Sequence, residues 1–506
     1  MKNYEEMYRW AKRPEPIPDE LITRTVDCDA VICGAGMSGC AAALSCVQNG
    51  LKTVVLEKWK TYSARGYHFG AANSRLLKEN GVVNDIDPIV KEWLKVTASR
   101  VNEELVRKFL IRSEDGMNWL LDLAESHGIG AGLYGGQYRG PYYEEIIGTH
   151  YFDGGADAIV NMMLTDAVAG GCEVFFETPA KQLTTDEDGR VTGVIAQDKD
   201  GNYIRFRAAK GVVMSTGDIS GNPEMMKDLS PAALSANSCL NEHAWLETGD
   251  GIRMGLAAGA QLGETPFPCT IHMMAWSMFT MHFLSVDRKG VRYMNEDTWT
   301  QGRTMTIIRR DPKHPWAWIV MDGDWMKQAA ETMHLGGGIA WDFVFRPLNS
   351  TNYDLTAAIA NNGIQDALEQ GGDVAVQAET LEELADLMGV PRENFLATIA
   401  RYNELAEKGH DDDFGKRPEF MAPLVKPPFT AVKCGGSLLN AIGGLEVNTD
   451  LQVITQEREP IPGLYAIGNC MSGLYAIDYP LLLPGNSHGR CITFGYLVGR
   501  IMAGVE

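Results

Sequence analysis

Gly34, Gly36 and Gly39, followed by Glu57, have the types and spacing to hold a dinucleotide. In a G-x-G-x-x-G turn the first glycine allows a tight bend and the second lets backbone approach a pyrophosphate. The third lets a helix pack close on the preceding strand. A carboxylate about 20 residues further on can accept both ribose hydroxyls and would repel a 2′-phosphate. The fingerprint does not choose between NAD and FAD. Further groups with chemical capacity are Arg65 and His68 in the small-residue stretch 61–74, and Tyr142 and Tyr143 in the aromatic, turn-rich stretch 134–143. His272 opens a Met- and Trp-rich run, and Tyr293, Arg303, Tyr479 and His488 follow.

These residues need elements to position them. Residues 30–33 are an apolar run bounded by glycine, as a buried parallel strand would be. Residues 40–48 read as a helix aimed N-terminus first at the phosphates, and 51–56 as the next strand ending at Glu57. Stretches 88–98 and 103–123 carry amphipathic helical spacing, 154–170 reads as a helix and 173–177 as a strand. Residues 191–197 and 203–208 flank a Lys-Asp-Gly-Asn turn, which predicts a β excursion, and 210–217 reads as another buried strand. From 268 to 428 the composition shifts toward Met, Trp and His with Pro/Gly punctuation at both ends. The expected domains are an N-terminal extension (1–25), a dinucleotide-binding domain in two parts (26–267 and 429–506) and an inserted domain (268–428).

A chain of 506 residues can build two or three full cores. Its formal charge of −21 repels nucleic acid and anionic lipid, so neither is an expected partner. The ten cysteines show no C-x-x-C pair and no Cys/His zinc spacing, so no metal site is expected and reduced thiols in a cytoplasm are. The first 25 residues lack the apolar core of a signal peptide, and no apolar run approaches the roughly 20 residues of a membrane span.

Gly34-Ala-Gly36-Met-Ser-Gly39 with Glu57, then 212–217, Gly249-Asp250-Gly251, Gly443-Gly444-Leu445 and 462–468 occur in a telling order. Together they resemble the FAD-binding flavoproteins of the fumarate reductase, succinate dehydrogenase and 3-ketosteroid dehydrogenase superfamily, from about residue 26 to the C-terminus. The resemblance implies an α/β fold: a Rossmann-like FAD-binding domain with an inserted mobile capping domain. It implies FAD contacts from Gly34, Gly36, Met37, Ser38, Gly39, Glu57, Lys58, Arg65, Gly66, His68, Gly70, Ala71, Thr216, Gly217, Gly249, Asp250, Gly468, Asn469, Asn486 and Ser487. Asn469 stands where the family has Asp or Glu. A helix starting near Cys491 would bring its dipole to the flavin, stabilising the anionic reduced ring. Non-covalent FAD is expected; the alternative is covalent attachment through His68, whose His-x-x-Ala-Ala segment is followed by Asn73-Ser74 rather than a glycine pair.

The same resemblance implies reduction of a C=C bond conjugated to a carbonyl, with hydride from flavin N5 and a proton from a side-chain acid. The candidate acids are Arg303, Tyr293, Tyr142, Tyr143 and Tyr479. His488 with Asn486 could hold the carbonyl oxygen, and His272 falls within a residue of a family substrate histidine. The family's proton-donating arginine is replaced by Thr300, its C-terminal substrate arginine is missing in register, and Asn440 stands in place of a substrate histidine. A dicarboxylate needs bidentate arginines. The expected substrate is therefore bulky, mostly apolar and steroid-like, an enone or enoate. The alternatives are a ketosteroid-type dehydrogenase running oxidatively, or a flavoprotein subunit needing a partner. No haem or iron–sulfur spacing occurs, so electrons would come from or go to a separate donor or acceptor.

Overall fold

The computed structural model describes residues 2–137, 139–140, 144–276, 280–332, 335, 338–339, 347–349 and 363–506. In chain order, the elements that position the site are β1 (Ile22–Cys33), α1 (Met37–Gln48), β2 (Thr53–Leu56), α2 (Glu103–Ser126), β3 (Glu173–Phe175), β4 (Tyr203–Met214), β5 (Cys269–Ala275), α3 (Thr300–Arg310), β6 (Trp316–Met321), β7 (Phe429–Ala441), β8 (Pro460–Ala466) and α4 (Asn486–Ala503).

The first sheet runs β8–β4–β1–β2–β3, all parallel neighbours, with Gln452–Ile454 antiparallel at one edge. Ile32 sits opposite Val55 on one side and Val213 on the other. Residues 30–33 are fully buried, as strands covered on both faces must be. The strands expected at 203–208 and 210–217 are one continuous strand, β4, with a register shift against β1 between Cys28 and Ala30. The antiparallel excursion Ala180–Thr185 and Val191–Gln197 hangs from it.

Helices α1 and α4 cross through small residues. A Cβ on Gly495 would lie 2.5 Å from the Ala41 Cβ, and one on Gly499 would lie 2.5 Å from the Ser45 Oγ. On the other face of α4, Gly116 of α2 meets the Thr493 Cα in the same way, at 2.8 Å. The last helix of the chain is thus wedged between two earlier ones, close to the first glycine turn.

The second sheet is built around β7, which pairs with Ser238–Cys239, β5, β6 and Ala375–Ala378, while Leu284–Val286 extends it beyond β6. The boundary read at 428/429 therefore meets the start of a capping-sheet strand, and the pairing of the first sheet resumes at Gln452. Gly435-Gly436 lies in mid-strand under close neighbours. Asn237 Oδ1 and Thr304 Cγ2 would sit 2.3 and 2.7 Å from the added Cβ atoms. A buried ion network ties the capping domain together. Arg292 pairs bidentately with Glu296 (3.0 and 2.9 Å) and with Asp411 (3.0 and 2.8 Å), and Lys416 stands 3.3 Å from Glu296. No described helix is long and apolar enough to cross a membrane.

Candidate active site

A cavity of about 430 Å³ opens between the two sheets. Its first wall is the glycine turn. Gly34 has φ +112°, and a Cβ there would lie 2.5 Å from the Ser215 carbonyl oxygen. A Cβ on Gly39 would lie 1.9 Å from the Gly34 oxygen, which is why the helix can start so close to the strand. Gly36 is different: its nearest neighbour would be Ser63 O at 3.9 Å, so its backbone borders open space. No side chain caps α1, and Gly36, Met37 and Ser38 line the cavity. An uncapped helix N-terminus over an open cradle is a seat for a phosphate.

Glu57 accepts hydrogen bonds from the Ala35 amide (2.7 Å) and the Trp59 amide (2.8 Å). Each carboxylate oxygen keeps a lone pair for a ribose hydroxyl. Burial pushes its carboxyl above the usual range. Lys58 donates to Thr248 Oγ1 (2.8 Å) and Asp250 Oδ2 (3.0 Å), pinning the Gly249–Asp250 turn to this wall. Burial works against the Asp250 charge, yet Lys58 holds that carboxyl below its usual range. Arg65 stands 3.5 Å from Asp218 and 3.8 Å from Glu247. Burial, then the neighbouring Asp218, raises Glu247 to about 7. Thr216 accepts from the Gly251 amide at 3.2 Å, and Asn469 donates to Asp218 at 3.3 Å.

The far end of the chain closes the opposite wall. Gly485, at φ +77°, starts α4 five residues earlier than the sequence pattern indicates. This places 486–490 in its first turns. Gly70 donates its amide to Gly485 O at 2.8 Å, and a Cβ on Gly489 would lie 1.7 Å from Gly70 O. Gly70 and Ala71 thus serve as the seam and do not line the cavity. Asn486 is fully buried and fully used: it donates to the carbonyls of Pro480 and Leu483 and accepts from Tyr475 Oη. His488 donates from Nδ1 to the His68 carbonyl at 2.8 Å. Both rings line the cavity, with His272 as a third. Burial lowers all three, His488 and His272 to about 4 and His68, also beside the other two, to about 3, so they stand neutral at pH 7.

On the capping side, Thr270 of β5 and Asn440 of β7 are opposite each other in register. Both are buried and both line the cavity. Thr270 Oγ1 and Asn440 Oδ1 find no hydrogen-bond partner among the described residues. Tyr479 also lines this region; its phenol accepts from the Ser487 amide at 3.0 Å, and burial pushes it up, keeping it protonated.

Of the residues expected from sequence, the cavity brings together Gly34, Gly36, Met37, Ser38, Glu57, Lys58, Arg65, Gly66, His68, Thr216, Gly217, Asp250, His272, Asn469, Tyr479, Ser487 and His488. Gly39, Gly249, Gly468 and Asn486 stand behind the wall as supports. Arg303, in α3, is buried and donates to the carbonyls of Glu296 and Thr298, off the cavity wall. Tyr293 packs into the capping core beside Met273 and Phe283, with its hydroxyl unpartnered among the described residues. Tyr142 and Tyr143 lie outside the described residues. Sequence reasoning missed Glu145, Glu247 and Thr270 on the wall. Glu145 adjoins the aromatic, turn-rich stretch 134–143, but nothing in sequence pairs Thr270 with Asn440.

Residues 29–486 match the model of the FAD binding domain family. The chain belongs to that family. The flavoprotein is 27% identical to the vinyl phenol reductase of Lactiplantibacillus plantarum over 93% of this chain and 94% of that one. It is 24% identical to the NADH:fumarate oxidoreductase of Klebsiella pneumoniae, covering 93% of this chain but only 47% of that protein. Its fold matches the 3-ketosteroid-Δ4-(5α)-dehydrogenase of Rhodococcus jostii with a TM-score of 0.71, at 21% identity over 96% of this chain and 99% of that one. The protein is an FAD-dependent oxidoreductase with an α/β FAD-binding domain and a cap. The open cradle at Gly36, the uncapped helix and the buried Glu57 carboxylate fit this cofactor's pyrophosphate and ribose.

Proposed function

We propose that this flavoprotein reduces a C=C bond conjugated to a carbonyl in a bulky and mostly apolar substrate, a steroid-like enone or a neutral enoate ester. It is an enzyme of C=C bonds, and the finer choice rests on one observation: the capping-side wall presents neutral hydrogen-bonding groups. Among the described residues, the only Lys and Arg on the cavity wall are Lys58 and Arg65, both engaged with acids at the dinucleotide end. The three histidines are neutral. A dicarboxylate brought here would be buried without paired cations, which costs more than hydrogen bonds return. Thr270 instead offers a hydroxyl that can donate to a substrate carbonyl oxygen, and the Asn440 Oδ1 an acceptor for a substrate hydroxyl, both neutral and both with a buried polar atom to satisfy. The relative from L. plantarum, similar over nearly the whole of both chains, is named for a vinyl phenol, which has no carboxylate.

Bound, reduced FAD supplies the hydride. Thr270 holds and polarises the substrate's carbonyl oxygen, so that negative charge developing there is met by a donor already in place, while the Asn440 Oδ1 accepts from a substrate hydroxyl. Tyr479, kept protonated by burial and oriented by the Ser487 amide, delivers the proton to the α-carbon. The FAD is held without a covalent bond, and His68 packs against its seat. A cytoplasmic location agrees with ten free thiols. Anaerobic turnover of the purified holoprotein with reduced viologen against an enone panel, a vinyl phenol and fumarate tests the reading. A neutral substrate should be reduced fastest; fastest reduction of fumarate would sink it.

A further inference from the structure

Arg490 is completely buried in the first turns of α4. Its terminal nitrogens donate to the carbonyl of Gly468 at 2.7 Å and to the Asn469 carboxamide. Its guanidinium lies over the Tyr475 ring, 4.8 Å from the centroid, and its Nε has no partner among the described residues. Every partner is neutral: a carbonyl, a carboxamide and a ring. The nearest route to an acid runs through Asn469, which donates to Asp218, and that carboxylate already faces Arg65 and the Ser220 amide and hydroxyl.

A buried cation with no carboxylate against it is costly, and proteins keep such charges where an anion forms. Cys491, next to Arg490, and His488, two residues before it, line the cavity, as do Ser487 and Asn469. The uncapped N-terminus of α4 adds a positive dipole at the same place. Asn469 stands where an acid would cancel the charge, and it does not.

We propose that Arg490, left uncompensated by the neutral Asn469, is a positioning residue that raises the two-electron reduction potential of bound FAD by favouring the anionic reduced ring over the neutral oxidised one. This rests on FAD binding alone and is independent of the substrate.

The test is a spectroelectrochemical titration of the holoprotein. Asn469→Asp keeps an oxygen acceptor for Arg490 but sets a negative charge on the wall. Its equilibrium constant for two-electron reduction should fall at least tenfold, about 30 mV, with FAD stoichiometry unchanged. Arg490→Lys keeps the charge and should stay within about threefold of the parent, on the scale of those same two-electron constants. The idea is overturned if the Asp variant stays within that range, if the Lys variant falls as far as the Asp variant, or if both lose FAD, which would make the pair a packing device only. A wrong substrate assignment would leave these potentials untouched.

Discussion

His150 and His272 are buried and His68 and His488 half-buried, and desolvation holds His68, His150, His272 and His488 at about 3, 4, 4 and 4 against an ordinary value of 6.5. Such groups bind fewer protons folded than unfolded. Their contribution to stability is complete above 6.5 and is lost as pH falls toward 4. Glu247 and Asp478, raised by burial to about 7 and about 6, act with the opposite sign, losing their contribution as pH rises through those values. Four imidazoles outweigh two carboxyls, so the urea midpoint should be lower at pH 5 than at pH 7; an equal or higher midpoint at pH 5 would show that the imidazoles titrate normally. At the capping wall, Thr270→Val removes the polarising hydroxyl, and loss of one hydrogen bond of about 1–3 kcal/mol predicts a fall in kcat/KM on the order of tenfold. Stopped-flow reduction with FAD content measured in parallel checks this. Glu57 was legible because glycine-to-acid spacing is local. Thr270 and Asn440 were not legible as a pair, since what joins them is the register of two antiparallel strands, which sequence spacing does not encode.

The elements were most readable where periodicity and glycine chemistry agreed, as in β1, α1 and β2. Glycine also marks closeness without bending: Gly435-Gly436 belongs to the central strand of the capping sheet, because neighbours on both sides leave no room for a Cβ. The start of α4 was read at Cys491, although the left-handed Gly485 begins it earlier and so turns His488 toward the His68 segment. One prediction belongs to this scale. Gly39→Ala would thrust a methyl to within 1.9 Å of the Gly34 carbonyl, where backbone cannot yield cheaply. Overpacking of about 1–3 kcal/mol or more should lower the thermal midpoint and leave purified protein depleted of flavin absorbance. Normal flavin content would mean the helix can slide on the strand.

The whole molecule carries a charge of −21, which shapes its encounters more than its fold. A cationic reduced viologen should deliver electrons faster at low salt and more slowly as ionic strength rises, while the dianionic dithionite should show the reverse trend; identical salt slopes for both would show that the entrance is screened from the surface charge. The two domains touch through Trp299, which donates to Asp478 at 3.1 Å beside the Tyr479 that lines the cavity. Asp478→Ala removes that link and should raise KM with FAD content intact. The seam between 66–71 and 484–489 has a further consequence for how the protein is made. A growing chain produces the glycine turn first, and the helix opposite it, which starts at Asn486, much later. Until residue 489 clears the ribosome the cofactor has half a seat, so flavin capture waits on the synthesis of that segment. In cells starved of riboflavin, the shortage should then show itself first as a smaller yield of soluble protein, drawn off by degradation of finished but empty chains, and only later as a slower enzyme.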